Sequence, residues 1–186
     1  MEKTKGEELK EKLFNKNKSG FAVITEEEKQ TIFSFSDEYL KFLNSCKTER
    51  ECASFAEDYL KQNGFVNIEN KTDLVPGDKV YFINHKKAVY AAVIGSSLLE
   101  EGLNFIGAHI DSPRLDLKPN PLYEDGGFAL FKTHYYGGIK KYQWTTIPLA
   151  IHGVIAKPGG EVININIGED ESDPIFTITD LLPHLA

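Results

Sequence analysis

Methionine and tryptophan occur once each in this 186-residue sequence, and cysteine only twice, at Cys46 and Cys52. Two cysteines exclude a disulfide framework, and their C-x5-C spacing fits no compact zinc motif. So sparse a use of thiols fits a reducing compartment, and a cytoplasmic location is expected. Both cysteines are read as core or boundary thiols within helical segments. Basic charge is also short. The sequence has 21 Lys and Arg against 28 Asp and Glu, a formal net charge of -7. That argues against a nucleic-acid partner, because a phosphate-binding surface needs a basic patch. The pairs Lys86-Lys87 and Lys140-Lys141 read as solvated surface. No apolar run approaches the ~20 residues of a membrane span. The opening stretch MEKTKGEELKEKLFNKNKSG has no apolar core of a signal peptide. What remains is 41% hydrophobic and 26% charged, ordinary for a globular domain. The length suits one domain, or one domain and part of another.

The first 20 residues read as a frayed helix or as an arm. A firmer helix is predicted from Thr25, where TEEE forms a capping box. Ile32, Phe35, Tyr39, Leu40 and Leu43 then recur at helical spacing. A second helix opens at KTERE, with Thr48 as cap and Glu51 three positions on, and closes at Asn63-Gly64. The aromatic residues on both helix faces are expected in a core. Pro76-Gly77 marks a turn. Val80 to Ile83 and Ala88 to Ile94 read as a hairpin bent at NHKK, with His85 on its surface. Leu103 to Ile106 reads as a buried apolar strand. The order of elements predicts a mixed sheet with helices against it. From about Trp144 onward the pattern is β-rich, through TTIPLAIHGVIA, EVININIG and PIFTIT.

The chemistry sits after the predicted third strand, in GAHIDSPRLDLKPNP. In an extended segment residues two apart point to one side, so His109 and Asp111 share a face. Open α/β sheets place ligands at strand ends. A neutral imidazole is a good zinc ligand, and a neighbouring carboxylate can fix its tautomer. Three residues alone leave another reading open, a strand-end His bonded to an Asp in an Asx-Pro turn. His134 and His152 read as packing or partly buried side chains rather than ligands. Asp116 and Asp125 lack the spacing of a second ligand.

Several stretches together resemble one family. GAHIDSPRLDLKPNP is similar to the metal-binding segment of the M18 metalloaminopeptidases. FSDEYLKFLNSCKTERE resembles that family's N-terminal helical signature, and HYYGGIKKYQWTTIPLAIHGVI its passage into an inserted β domain. DLLPHLA resembles a later segment that carries a His-Leu pair. The resemblance implies an α/β class: part of an α/β/α zinc-peptidase sandwich in residues 1–143, with an inserted β-rich oligomerisation domain begun in 144–186. It implies two metal ions per complete site, usually zinc, with cobalt or manganese possible. It implies peptide substrates and a homo-oligomer, typically a dodecamer. His109 is then a metal ligand, and Asp111 orients or polarises it. His184 is then a donor that reaches a neighbouring subunit's site. The remaining ligands, a bridging Asp, a Glu-Glu pair, a further Asp and a last His, lie in the family beyond the inserted domain and are not in this sequence. The 186-residue chain alone is therefore expected to bind zinc weakly and hydrolyse nothing. Two other readings compete. One is a non-catalytic oligomerisation module or truncated paralogue. The other is a different metallohydrolase, such as a phosphoesterase, resting on H-x-D alone.

Overall fold

The structure is a computed structural model that describes residues 3–181. The chain divides into two compact units, one up to Asn44 and one from Ser45.

The first unit is helical. Helix α1 (Lys5–Leu13) begins at a capping box in which Thr4 and Glu7 bond reciprocally, so the Lys- and Glu-rich opening is a capped helix. Helix α2 (Glu26–Ser45) starts where TEEE predicts it. The Thr25 hydroxyl accepts from the Glu28 amide at 3.1 Å, and Glu28 accepts the Thr25 amide at 2.7 Å. The apolar spacing of α2 is helical as expected, but Phe35 and Tyr39 are exposed rather than in a core. Amphipathic spacing specifies which face would pack. It does not supply the partner that covers it.

The second unit begins at the end of α2. Cys46 follows the helix instead of lying inside it, and Cys52 is buried on the next helix. Burial pushes the Cys46 thiol up to about 11, and burial raises Cys52 as well, so neither is a thiolate nucleophile. Helix α3 (Glu49–Gln62) carries the second capping box, Thr48 with Glu51. It lies against a three-stranded sheet of β1 (Val66–Asn67), β2 (Lys79–Asn84) and β3 (Ala88–Val93), in the order β1-β2-β3. β1 runs parallel to β2, and β2 pairs antiparallel with β3 from Lys79↔Val93 to Asn84↔Ala88. The mixed sheet with a helix against it is thus present. The core is small: Cys52 and Ala53 of α3, and Val80 and Tyr81 of β2, are its buried apolar residues. The Tyr81 hydroxyl donates to Glu57 of α3 at 3.2 Å. His85 and Lys86 turn the hairpin with φ of 49° and 57° and stay exposed.

Leu103–Ile106 is the main departure. These residues form no strand, and Phe105 and Ile106 are 84% and 95% exposed. A strand exists only through hydrogen bonds to a neighbour, and no described strand pairs with this run.

Two antiparallel hairpins follow. β4 (Arg114–Asp125) pairs with β5 (Phe128–Tyr136) across Gly126-Gly127, whose φ values of 57° and 82° suit a turn that matches strand twist. The ladder slips between Leu117 and Leu122, where Lys118 to Pro121 stand against Lys132 alone. Pro119 and Pro121 have no amide to donate, so the bulge falls where the ladder loses least. β6 (Ile151–Ala156) and β7 (Val162–Ile167) form the second pair. Thr145 and Leu149 make isolated bridges to Ile178 and Phe176.

His152 ties this last sheet to α3. Its ring nitrogens lie 2.8 Å from Glu51 and 2.9 Å from Glu169, and its side chain is 10% exposed. The expected partly buried, satisfied histidine is therefore observed. Burial raises the Glu51 carboxyl, but hydrogen bonds from His152 and from the Lys47 and Thr48 amides outweigh it and hold the pKa below the ordinary 4.5. A depressed carboxyl stabilises the fold above its ordinary pKa and loses that contribution as pH falls through its folded value. Glu51→Gln is therefore expected to destabilise the chain near neutrality. The difference from wild type should shrink between about pH 5 and pH 2 in urea unfolding curves.

Candidate metal centre

His109 and Asp111 lie on the segment without regular secondary structure that leads into β4. The His109 Nδ1 is 2.8 Å from the Asp111 main-chain oxygen and 3.1 Å from Asp111 Oδ1. Both partners are acceptors, so Nδ1 carries the proton, and in the neutral ring Nε2 keeps its lone pair. The His109 side chain is 83% exposed, with Nε2 open to a ligand. This is the state in which an imidazole binds a divalent metal.

Asp111 is held from its other side. The Tyr136 hydroxyl donates to Asp111 Oδ2 at 2.7 Å. That bond, more than any other contact, keeps the Asp111 carboxyl below its ordinary range; burial opposes it, and the Asp111 amide and His109 add smaller lowering contributions. The same bond and the carboxylate charge raise the Tyr136 phenol, so the proton stays on the tyrosine.

Tyr136 is in turn placed by Arg114. The two are Cα partners in the β4–β5 register, and the guanidinium lies 4.0 Å from the tyrosine ring centroid. Such a contact contributes roughly 0.5–1 kcal/mol at a partly exposed site. Arg114 Nη1 donates to Glu49 of α3 at 2.8 Å, and Nε donates to Asp116 at 2.7 Å. Next to Tyr136, Gly137 has φ of 72° and its backbone lies against Pro113, a conformation that a side chain would strain. A chain of contacts thus runs from the first turn of α3 through Arg114, Tyr136 and Asp111 to His109.

The two predicted residues His109 and Asp111 are therefore brought together. His184 lies outside the described residues. His134 stacks beside Tyr135 at 5.4 Å and lines a separate apolar groove of about 920 Å³ between β5 and the Phe176 segment. Asp116 serves Arg114, and Asp125 is exposed at the β4–β5 turn. Arg114, Tyr136 and Glu49 were not foreseen from the sequence. Among the described residues, no group of three or more His, Cys, Asp or Glu side chains could hold a metal ion. His109 fits as one ligand of a zinc site, with Asp111 as its support.

The family model described as aminopeptidase I zinc metalloprotease (M18) matches residues 42–186. The chain belongs to the M18 family. It is 51% identical over 170 residues to a probable M18 family aminopeptidase 1 of Borreliella afzelii, covering 91% of this chain and 37% of that relative. It resembles the crystal structure of aminopeptidase I from Borrelia burgdorferi B31 with a TM-score of 0.84 at 48% identity, over 89% of this chain and 41% of that one. The M18-family aminopeptidase of Thermotoga maritima gives a TM-score of 0.81 at 48% identity, over 92% and 37% of the two chains. The chain thus spans well under half the length of these M18 proteins.

Arg114 fixes Tyr136 from one strand and α3 from the other side. Arg114→Ala is expected to lower stability by roughly 1–3 kcal/mol, the sum expected for two part-exposed ion pairs and a ring contact. It should also shift the backbone amide resonances of residues 109–112. Thermal unfolding and an amide correlation spectrum check the two effects.

Proposed function

We propose that this chain is the N-terminal part of a metal-dependent aminopeptidase that removes N-terminal residues from peptides. The observation that carries the reading is His109, its Nδ1 committed to Asp111 and its Nε2 open, in a chain of the M18 family. His109 is one metal ligand. Asp111 holds the ring in the ligating tautomer and raises its basicity. Zinc is the metal the family description supports, in a site of two ions, with cobalt or manganese as substitutes that the same donors would accept. When bound, the metal pair supplies an acidified water and polarises the scissile carbonyl.

The resemblance extends the proposal beyond the described geometry. Residues 1–143 belong to the catalytic α/β/α sandwich, and residues 144–186 begin the inserted β-rich domain. The working form is a cytoplasmic homo-oligomer, a dodecamer when complete. In that assembly His184 donates to the site of a neighbouring subunit, where it would steady charge that develops on the substrate carbonyl. No helix among the described residues is long and apolar enough to cross a membrane.

One imidazole is fewer than the roughly three protein ligands of a catalytic zinc. The purified 186-residue chain is therefore expected to turn over no aminoacyl-p-nitroanilide in the presence of Zn, Co or Mn. Turnover at enzyme-like rates would show the site to be misplaced. The reading frame beyond Ala186 should encode an Asp, a Glu-Glu pair and a late His. In the resulting enzyme His109→Ala should lower kcat/KM by more than the roughly 10- to 100-fold that loss of a supporting partner costs. Full activity in that variant, or a stop codon with no second chain that supplies the ligands, overturns the proposal.

A further inference from the structure

Tyr136 is the last residue of β5, and its hydroxyl reaches Asp111, 25 residues away in sequence, at 2.7 Å. The carboxylate is thereby divided between two donors. Its Oδ2 receives the Tyr136 hydroxyl, and its Oδ1 faces His109 Nδ1 at 3.1 Å. Without the tyrosine, the carboxylate would be held through Oδ1 alone, on the histidine side.

The tyrosine ring is itself fixed. Arg114 covers it at 4.0 Å, and Arg114 is anchored on Glu49 and Asp116 at 2.8 and 2.7 Å. Strand register sets the Arg114–Tyr136 pair, so the placement follows from the backbone and not from a flexible side chain alone. This is the arrangement that outer partners of a metal-ligating histidine need: each acceptor is oriented by a donor behind it.

We propose that Tyr136 is a positioning residue for the metal ligand: by holding the Asp111 carboxylate from behind, it keeps Oδ1 on His109 Nδ1 beside the Asp111 main-chain oxygen at 2.8 Å, and the two acceptors together favour the Nδ1–H form with Nε2 free. The proposal rests on the reading of His109 as a metal ligand. The proton shared with Asp111 belongs to Tyr136, whose hydroxyl is the donor in that bond. Arg114 supplies the platform and touches neither His109 nor the carboxylate of Asp111 in any bond that the structure records.

Tyr136→Phe tests this, because it removes the hydroxyl and keeps the ring under Arg114. Nitrogen-15 shifts of the His109 ring in the 186-residue chain report the tautomer without any metal. In wild type the Nδ1–H form should dominate, the reverse of a free histidine in water. In Tyr136→Phe the Nε2–H share should rise by up to about 5-fold, the limit set by losing one ordinary hydrogen bond, since the Asp111 main-chain oxygen still accepts from Nδ1. Cobalt(II) titration, followed at the same ring resonances, should weaken by a similar factor, below the roughly 10- to 100-fold loss expected for a direct partner. Asp111→Ala supplies the control. If Tyr136 acts through Asp111, adding Tyr136→Phe to Asp111→Ala changes the tautomer no further, whereas a merely structural tyrosine gives additive effects. An unchanged tautomer in Tyr136→Phe, or additivity in the double variant, overturns the proposal. If the tautomer responds as expected but cobalt never perturbs the wild-type His109 ring, the metal reading of His109 has failed, and the assignment of Tyr136 to it falls with that reading.

Discussion

The first turn of α3 holds the second unit together. Glu49 and Glu51 stand at its N-terminus, where the helix dipole favours negative charge. Each carries a different part of the chain. Glu51 closes the capping box with Thr48 and receives His152, which binds β6 to the helix. Glu49 receives Arg114, which places β4 and, through Tyr136, the Asp111 carboxylate. One helix end thus organises both the β6–β7 sheet and the proposed metal half-site. With four apolar residues buried among the described residues, this charged hub carries a share of the fold that a larger core would take. Its groups are part-exposed, so each ion pair is weak alone. Their effect lies in direction: they decide where the hairpins sit.

Local signals in the sequence located what local chemistry controls. The capping boxes at Thr25 and Thr48 and the β2–β3 hairpin follow from residues within a few positions of one another, and all three are present. The H-x-D pair was legible for the same reason, since alternation along an extended segment needs no tertiary information. Satisfied burial of His152 was also legible in kind, though its partners Glu51 and Glu169 were not, being far away in sequence.

What stayed hidden depends on register. The pairing of Arg114 with Tyr136 cannot be counted back from the Gly126-Gly127 turn, because Lys118 to Pro121 bulge against Lys132 and displace every pair beyond them. Both residues were in view, in SPRLD and HYYGG, but nothing in either stretch says that they face each other. Leu103–Ile106 failed for a related reason. Its composition suits a buried strand, yet a strand is a relation between two segments, and the described residues hold only one of them. The same holds for the exposed aromatic face of α2. In a chain that spans 37% of an M18 relative's length, apolar pattern and actual burial need not coincide.

The proposed half-site is ordered by the described residues alone. A histidine that must ligate through Nε2 loses affinity whenever its ring sits in the wrong tautomer or rotates, because that population has to be reversed on binding. Two acceptors on Nδ1 and a donor behind the carboxylate remove most of that freedom beforehand. The cost is met by contacts away from the metal: Glu49, Asp116 and the tyrosine ring together fix Arg114, and the bulge in β4 sets its register. A metal arriving at His109 would therefore meet a ligand already aimed, and the distance from α3 to the imidazole is spanned by hydrogen bonds and one ring contact, each with a defined direction. That is why the charged first turn of a helix, far from the imidazole in sequence, belongs to the chemistry of the site.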